Sequence, residues 1–183
     1  MKTDYDDEAG LIALRMHGRD LWRARAFPAD PEAPEVYVHD GRVLYESRDA
    51  LLADLAADGL SVDHDLTGAV DIDAARSVLS SNMSIDELSG VIDAWNELDD
   101  LLLLTATPLG FHGVRANLCY DKAFFGLNLP AVTPPGEHYR PAWRPRELRK
   151  IDQVLREGTA RVLRTLGPSL AVTLCRCAPR WRR

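Results

Sequence analysis

Four residues in the middle of this sequence have side chains that can move protons. Asp99, His112, Tyr120 and His138 lie within or just before an aromatic-rich segment, residues 108–143. A carboxylate, two imidazoles and a phenol can act as general acid and base in hydrolysis. They define one hypothesis for this chain, a small hydrolase-type enzyme with its site around that segment.

The aromatic-rich segment also has a purely structural interpretation. Its residues 120–143 contain several prolines and five aromatic rings, which are Tyr120, Phe124, Phe125, Tyr139 and Trp143. Burial of such rings can hold an irregular loop against a helical face. Long ordered loops are also where binding groups concentrate. The sequence therefore favours a packed loop and leaves a ligand role open.

The remaining reactive side chains do not form a recognised pattern. His17, His39 and His64 lack the spacing of metal ligands, and Cys119 stands alone. Cys175 and Cys177 form a C-x-C, but a closed zinc site needs two further ligands. The sequence contains no zinc-protease helix, nucleophile elbow or phosphate-binding loop. We therefore expect no cofactor, no metal and no disulfide framework.

Charge is distributed unevenly along the chain. The net charge is −6, but from Arg140 to the end there are twelve basic residues and three acidic ones. Residues 1–139 hold the other ten basic and twenty-five acidic residues. Such asymmetry is informative about partners and says little about fold.

Four acidic residues define the main functional hypothesis. Within a predicted helix at 85–103, the carboxylates share a face beside the apolar stripe, and they are Asp86, Asp93, Glu97 and Asp100. Clustered carboxylates on a rigid helix can steer and orient a cationic partner. We therefore predict a non-enzymatic acidic binding protein of the immunity or antitoxin type, which inhibits a basic, nuclease-like protein. The tail RCAPRWRR suggests a further alternative, attachment to nucleic acid.

The local signals predict an α+β fold, with a small antiparallel sheet packed against helices. Asp40-Gly41 is typical of a two-residue hairpin turn, which places a β-hairpin at 36–45. Helices are expected at about 48–58, 71–80, 85–103, 117–125 and 144–166. Ser47 and Ser84 are expected N-caps, and Glu87 completes a capping box with Ser84. The pattern of residues 8–25 fits a first helix moderately, and its apolar run fits a strand equally well.

We expect residues 1–167 to form one globular domain and residues 168–183 to form a basic C-terminal extension. No apolar run approaches the length of about 18–20 residues that spans a bilayer. The first residues are acidic and do not follow the order of a secretory signal. These features predict a cytoplasmic protein.

Overall fold

The computed structural model describes residues 5–30, 33–105 and 113–167. Within these ranges the protein has the expected α+β fold, in which five helices pack against a small mixed sheet of four strands. The strands are β1 (Tyr5–Met16), β2 (Arg19–Pro28), β3 (Ser61–Val62) and β4 (Gly68–Asp71). The helices are α1 (Arg48–Asp58), α2 (Ile72–Ser77), α3 (Ile85–Leu103), α4 (Val114–Gly126) and α5 (Pro145–Leu166).

Strand β1 is the centre of the sheet. On one side it pairs with β2 in an antiparallel hairpin, with Leu14 opposite Leu21. On its other side β3 and β4 both run parallel to it, β3 beside Ala9 and β4 beside residues 12–15. The chain between β3 and β4 crosses close to Gly10, where a methyl group would lie 2.2 Å from the carbonyl oxygen of Leu66. Only glycine fits at that crossing.

The hairpin of the sheet is not the one that the sequence predicts. Residues 36–45 contain the expected tight turn, since Asp40 and Gly41 both have positive φ and His39 bridges Arg42. The segment touches the edge of β2 through a second isolated bridge, between Tyr45 and Trp22, but it forms no continuous strand of the sheet. The true hairpin turns at residues 17–18 and joins β1 to β2. The sheet is also mixed rather than antiparallel, because β3 and β4 arrive by crossover connections.

Burial on both faces explains why β1 resembled a helix in sequence. Ile12 and Leu14 point into the core formed with helices α2–α5, whereas Ala9 and Leu11 point into a second core with α1. A strand that is covered on both faces has a nearly continuous apolar run instead of an alternating one. The spacing of apolar residues alone therefore could not distinguish a strand from a helix.

The two cores divide the protein into layers. The first layer contains α1, with Leu51 and Leu55 packed beside Tyr37 on one face of the sheet, whereas Val36, Val43 and Leu44 belong to the core on the other face. The other face carries α3, against which α4 and α5 pack farther out. Helices α3 and α5 approach closely, since a methyl group at Gly158 would lie 3.0 Å from Leu98. The outer surfaces of α1 and of α4–α5 thus belong to different layers.

The helix boundaries confirm the capping predictions. The Ser47 hydroxyl accepts from an amide of the first turn of α1, and Gly59 ends that helix in the left-handed conformation. Ser84 and Glu87 form the full capping box of α3. Helix α4 begins three residues earlier than expected, and α2 ends at Ser77 rather than at residue 80. None of the helices in the described ranges is both long and apolar enough to pass through a lipid bilayer.

Candidate functional site

One member of the predicted acidic stripe is inside the protein. Glu97 is 3% exposed and forms a bidentate ion pair with Arg23, which is fully buried. Residues 21, 23 and 25 of β2 face α3, so the helix places Glu97 directly over a strand arginine. The guanidinium also donates to the carbonyl oxygen of Glu35 at 3.3 Å. Glu97 is therefore buried and paired within the protein, and it does not lie on the solvent-facing stripe that the sequence predicts.

Asp100 lies one turn further along α3 and is only partly available. Its carboxylate is 3.9 Å from the Arg23 guanidinium, and its side chain is 41% exposed. Burial raises the pKa of Asp100, while the positive charge of Arg23 acts in the opposite direction. Sequence spacing placed Asp100 on a solvent face because it could not show that the arginine-bearing strand β2 lies beneath this end of the helix.

Asp86 and Asp93 are the exposed members of the stripe. Asp86 lies in the first turn of α3, where a carboxylate is favourable to the helix dipole. Asp93 accepts a long hydrogen bond of 3.4 Å from Ser89. Two carboxylates two turns apart make a smaller surface than the four-residue stripe that the sequence predicts.

The acid–base residues of the alternative hypothesis that the structure describes, Asp99, Tyr120 and His138, are not all brought to the cavity that His138 lines. The Tyr120 hydroxyl donates to Asn96 at 2.8 Å, and burial raises the pKa of Tyr120, with the charge of Asp99 adding to the effect. His138 is exposed in the loop before α5 and lines a cavity of about 570 Å³ at the N-terminus of α3. Neither Asp99 nor Tyr120 lines that cavity. His112 lies outside the described residues, as do Cys175 and Cys177.

The aromatic segment is mainly structural in the described part. Trp143 is buried, and the amide of Asn128 ties the two ends of the loop by bonding the backbone of Gly126 and Tyr139. Tyr139 and Phe125 remain substantially exposed. The described part of the segment thus consists of helix α4 and a following loop pinned by Asn128, with one uncovered ring on each, Phe125 and Tyr139.

The structure brings together a titratable cluster that the sequence pattern did not reveal. His39 Nδ1 donates to Asp58 Oδ2 at 2.8 Å, and the Tyr37 hydroxyl donates to the same oxygen at 2.8 Å. Beside them, Asp54 accepts from the Tyr45 hydroxyl at 2.9 Å and from Arg42 at 3.0 Å. These bonds join the 36–45 segment to α1.

The hydrogen bond to Asp58 raises the pKa of His39, the charges of Asp54 and Asp58 act in the same direction, and partial burial acts against them. One signal could have indicated this cluster. Asp54 and Asp58 are four residues apart, so they share a face of α1 next to the predicted turn. The hydrogen bonds to Asp54 and Asp58 all run from the 36–45 segment to α1, so the cluster joins these two elements.

The segment that contains α1 is strongly acidic, as is the segment that contains α2 and α3, since residues 66–105 hold eight acidic residues and one basic residue. Residues 35–65, hereafter the acidic layer, hold eight acidic and two basic residues. Five of the carboxylates are exposed, and they are Glu35, Asp40, Glu46, Asp49 and Asp65. Glu46 is paired with Arg19, whereas Asp49 and Asp65 have no ion pair within the described ranges.

The opposite layer carries a basic groove between α4 and α5. Residues 113–167 hold ten basic and five acidic residues. The groove has a volume of about 560 Å³ and is lined by Arg115, Leu118, Cys119, Arg146, Glu147, Arg149, Lys150 and Gln153. The sequence signal that could have identified it is the spacing of three and four residues between Arg146, Arg149 and Lys150. This spacing places them on one face of α5.

The described residues contain no group of histidine, cysteine and acidic side chains arranged to hold a metal ion. The chain matches no protein-family model, and comparisons with curated proteins and with solved structures likewise found no match.

Proposed function

We propose that this protein is a non-enzymatic binding protein that engages a basic protein partner through the acidic layer. The observation that carries the proposal is the excess of eight acidic over two basic residues in residues 35–65. Those residues form a continuous chain segment, within which α1 packs on one face of the sheet. Carboxylates on a firm surface accelerate encounter with a cationic protein and fix its orientation. A nuclease-like toxin has such a cationic surface, because it binds nucleic acid.

The rigidity of the acidic layer supports this role. Helix α1 is anchored by Leu51 and Leu55 in the second core, and hydrogen bonds from Tyr37, His39 and Tyr45 hold the adjacent turn segment to it. A binding surface that is already ordered loses less entropy on association than a mobile one. The proposed class is therefore an inhibitor of the immunity or antitoxin type.

Charge reversal tests where the partner binds. The partner would be captured from the native host with the tagged full-length protein, identified, and titrated at two salt concentrations. We expect Asp49→Lys with Asp65→Lys to weaken binding at least tenfold. The matched control is Asp121→Lys with Glu157→Lys, which makes the same charge change on α4 and α5.

The same titration distinguishes the acidic layer from α3. Asp86→Lys with Asp93→Lys tests the surviving part of the stripe on that helix. If this pair weakens binding and the Asp49 and Asp65 pair does not, the interface lies on α3. Equal affinity for the wild type and all three variants would contradict an electrostatic partner altogether. A thermal melt of each variant checks that any loss of binding is not a loss of fold.

A further inference from the structure

The groove between α4 and α5 is lined mainly by positively charged side chains, whereas the protein as a whole has a negative net charge. Arg115 contributes from α4, and Arg146, Arg149 and Lys150 contribute from the first turns of α5. Among the described residues none of these four cations forms an ion pair. This is a concentrated positive patch on a protein whose net charge is −6.

The arrangement of the cations opposes the stability of α5. Positive side chains near the N-terminus of a helix interact unfavourably with its dipole. Arg146 is three residues from Arg149 and four from Lys150, and like charges at those spacings repel. An anion in the groove would relieve both effects. The patch is thus a site of electrostatic strain that a bound anion would remove.

The one carboxylate of the groove does not neutralise the patch. Glu147 accepts from Lys122 Nζ at 2.8 Å and from the Arg144 backbone amide at 2.8 Å. Both hydrogen bonds lower the pKa of Glu147, and the bond from Lys122 has the larger effect. Its charge is therefore committed to capping α5 and to Lys122. Burial raises the pKa of the Cys119 thiol in the groove wall, so the thiol stays neutral.

The volume and the lining residues of the groove limit the kinds of ligand that it can bind. Its volume of about 560 Å³ lies within the range of about 300–1,000 Å³ that is usual for small-molecule sites. Arginine forks bind phosphate oxygens in pairs, and three of the four cations are arginines. No aromatic side chain is among the lining residues, so a nucleobase would have no ring to stack on. A flat protein partner would need about 800 Å² of contact surface, which one groove of this size does not offer.

We propose that the groove between α4 and α5 binds a small ligand with two or more linked phosphate groups. Arg146, Arg149 and Lys150 hold the phosphates from α5, and Arg115 closes the site from α4. Leu118, which is 62% exposed, provides an apolar edge beside them. This site is independent of the acidic layer, so it can stand if the proposed partner-binding function fails.

Calorimetric titration of the full-length protein with sodium tripolyphosphate tests the site. We expect saturable one-to-one binding at an ionic strength of about 0.15 M, where exposed charges are screened beyond about 8 Å. Arg146→Gln with Arg149→Gln is expected to weaken it at least tenfold. The matched control is Arg156→Gln with Arg164→Gln, which removes the same charge from α5 outside the groove and should change affinity less than twofold.

Two further ligands distinguish the source of the phosphates. A nucleoside triphosphate is expected to bind within a few-fold of tripolyphosphate, because only its phosphates are recognised. A single-stranded oligonucleotide that binds more than tenfold tighter would overturn the proposal, since the groove would then belong to a nucleic-acid surface. The proposal also fails if tripolyphosphate gives no saturable binding, or if the control pair loses as much affinity as the groove pair.

Discussion

The sheet side and the α4–α5 side of this protein differ in how many of their basic residues form ion pairs. On the sheet and in the acidic layer, three arginines pair with carboxylates of other elements, Arg19 with Glu46, Arg42 with Asp54, and Arg23 with Glu97, while Arg25 and Arg48 form no ion pair within the described ranges. In the groove between α4 and α5, four cations surround one cavity without an ion pair among the described residues. The first arrangement joins elements of the fold, and the second leaves charge available to a ligand.

This difference shows that the number of charges in a segment does not measure what the segment offers to a partner. The α3 helix is acidic in sequence, yet Glu97 forms a buried ion pair with Arg23, and Asp100 lies close to the same arginine. The α5 helix is basic in sequence, and Arg146, Arg149 and Lys150 form no ion pair within the described ranges. Whether a charged side chain is available to a partner depends on which strand or helix packs opposite it.

The largest effect is expected from breaking the buried pair. Glu97→Ala leaves the Arg23 guanidinium buried without its carboxylate, so the free energy of unfolding should fall by about 3–5 kcal/mol. The exposed pair is the control, because Glu46→Ala should cost no more than about 1 kcal/mol. Urea denaturation followed by circular dichroism measures both.

If the single variant does not fold, the double variant keeps the test decisive. Arg23→Met with Glu97→Leu replaces both charges with apolar groups and should recover most of the lost stability. Equal losses for the buried and the exposed pair would show that Arg23 and Glu97 are not effectively desolvated.

A smaller, pH-dependent effect is expected at the link between the 36–45 segment and α1. The pKa of His39 is raised in the folded protein by its bond to Asp58, so its protonated form stabilises the fold. That contribution is fully present below the unfolded value of about 6.5 and is lost as pH rises through the folded pKa. The difference in unfolding free energy between wild type and His39→Gln should therefore shrink with rising pH, by at most about 1 kcal/mol.

Denaturation curves between about pH 5 and pH 9 check this prediction. Asp58→Asn removes the carboxylate that raises the His39 pKa, so that variant should show a weaker pH dependence of the same kind. A difference between wild type and His39→Gln that stays constant over the whole range would contradict the assigned role.

The smallest expected effect has the opposite sign and concerns α5. Arg146→Gln with Arg149→Gln removes repulsion near the N-terminus of the helix, so the unfolding free energy should rise by about 0.3–1 kcal/mol at low salt. Arg156→Gln with Arg164→Gln should slightly lower it, because Arg164 lies in the last turn, where a cation is favourable. Thermal unfolding at low and high salt measures both. A groove pair that destabilises the protein would mean that these arginines support the fold.

Features that depend on near neighbours in the chain were predictable. The capping box of Ser84 and Glu87, the N-cap at Ser47 and the tight turn at Asp40-Gly41 all involve groups a few residues apart. The bounds of α1 and α3 agree with the expected ranges for the same reason. The strand assignment of β1 was left open, because its burial depends on layers formed by distant segments.

The candidate sites show the same limit. Glu97 and Arg23 are 74 residues apart in sequence, so no helical spacing could show that they pair. The groove combines Arg115 of α4 with three cations of α5, and only the packing of those helices places them around one cavity. His39 and Asp58 come from a turn and a helix end that meet through the second core.

By itself the sequence determined the fold class, most helix boundaries and the imbalance of charge between its two parts. Those properties follow from local hydrogen bonding, side-chain periodicity and composition. The tertiary structure alone decided which strands pair, which carboxylates are buried and where unpaired cations collect. The physical reason is that burial and ion pairing depend on the element packed opposite a residue, which the local pattern around that residue does not specify.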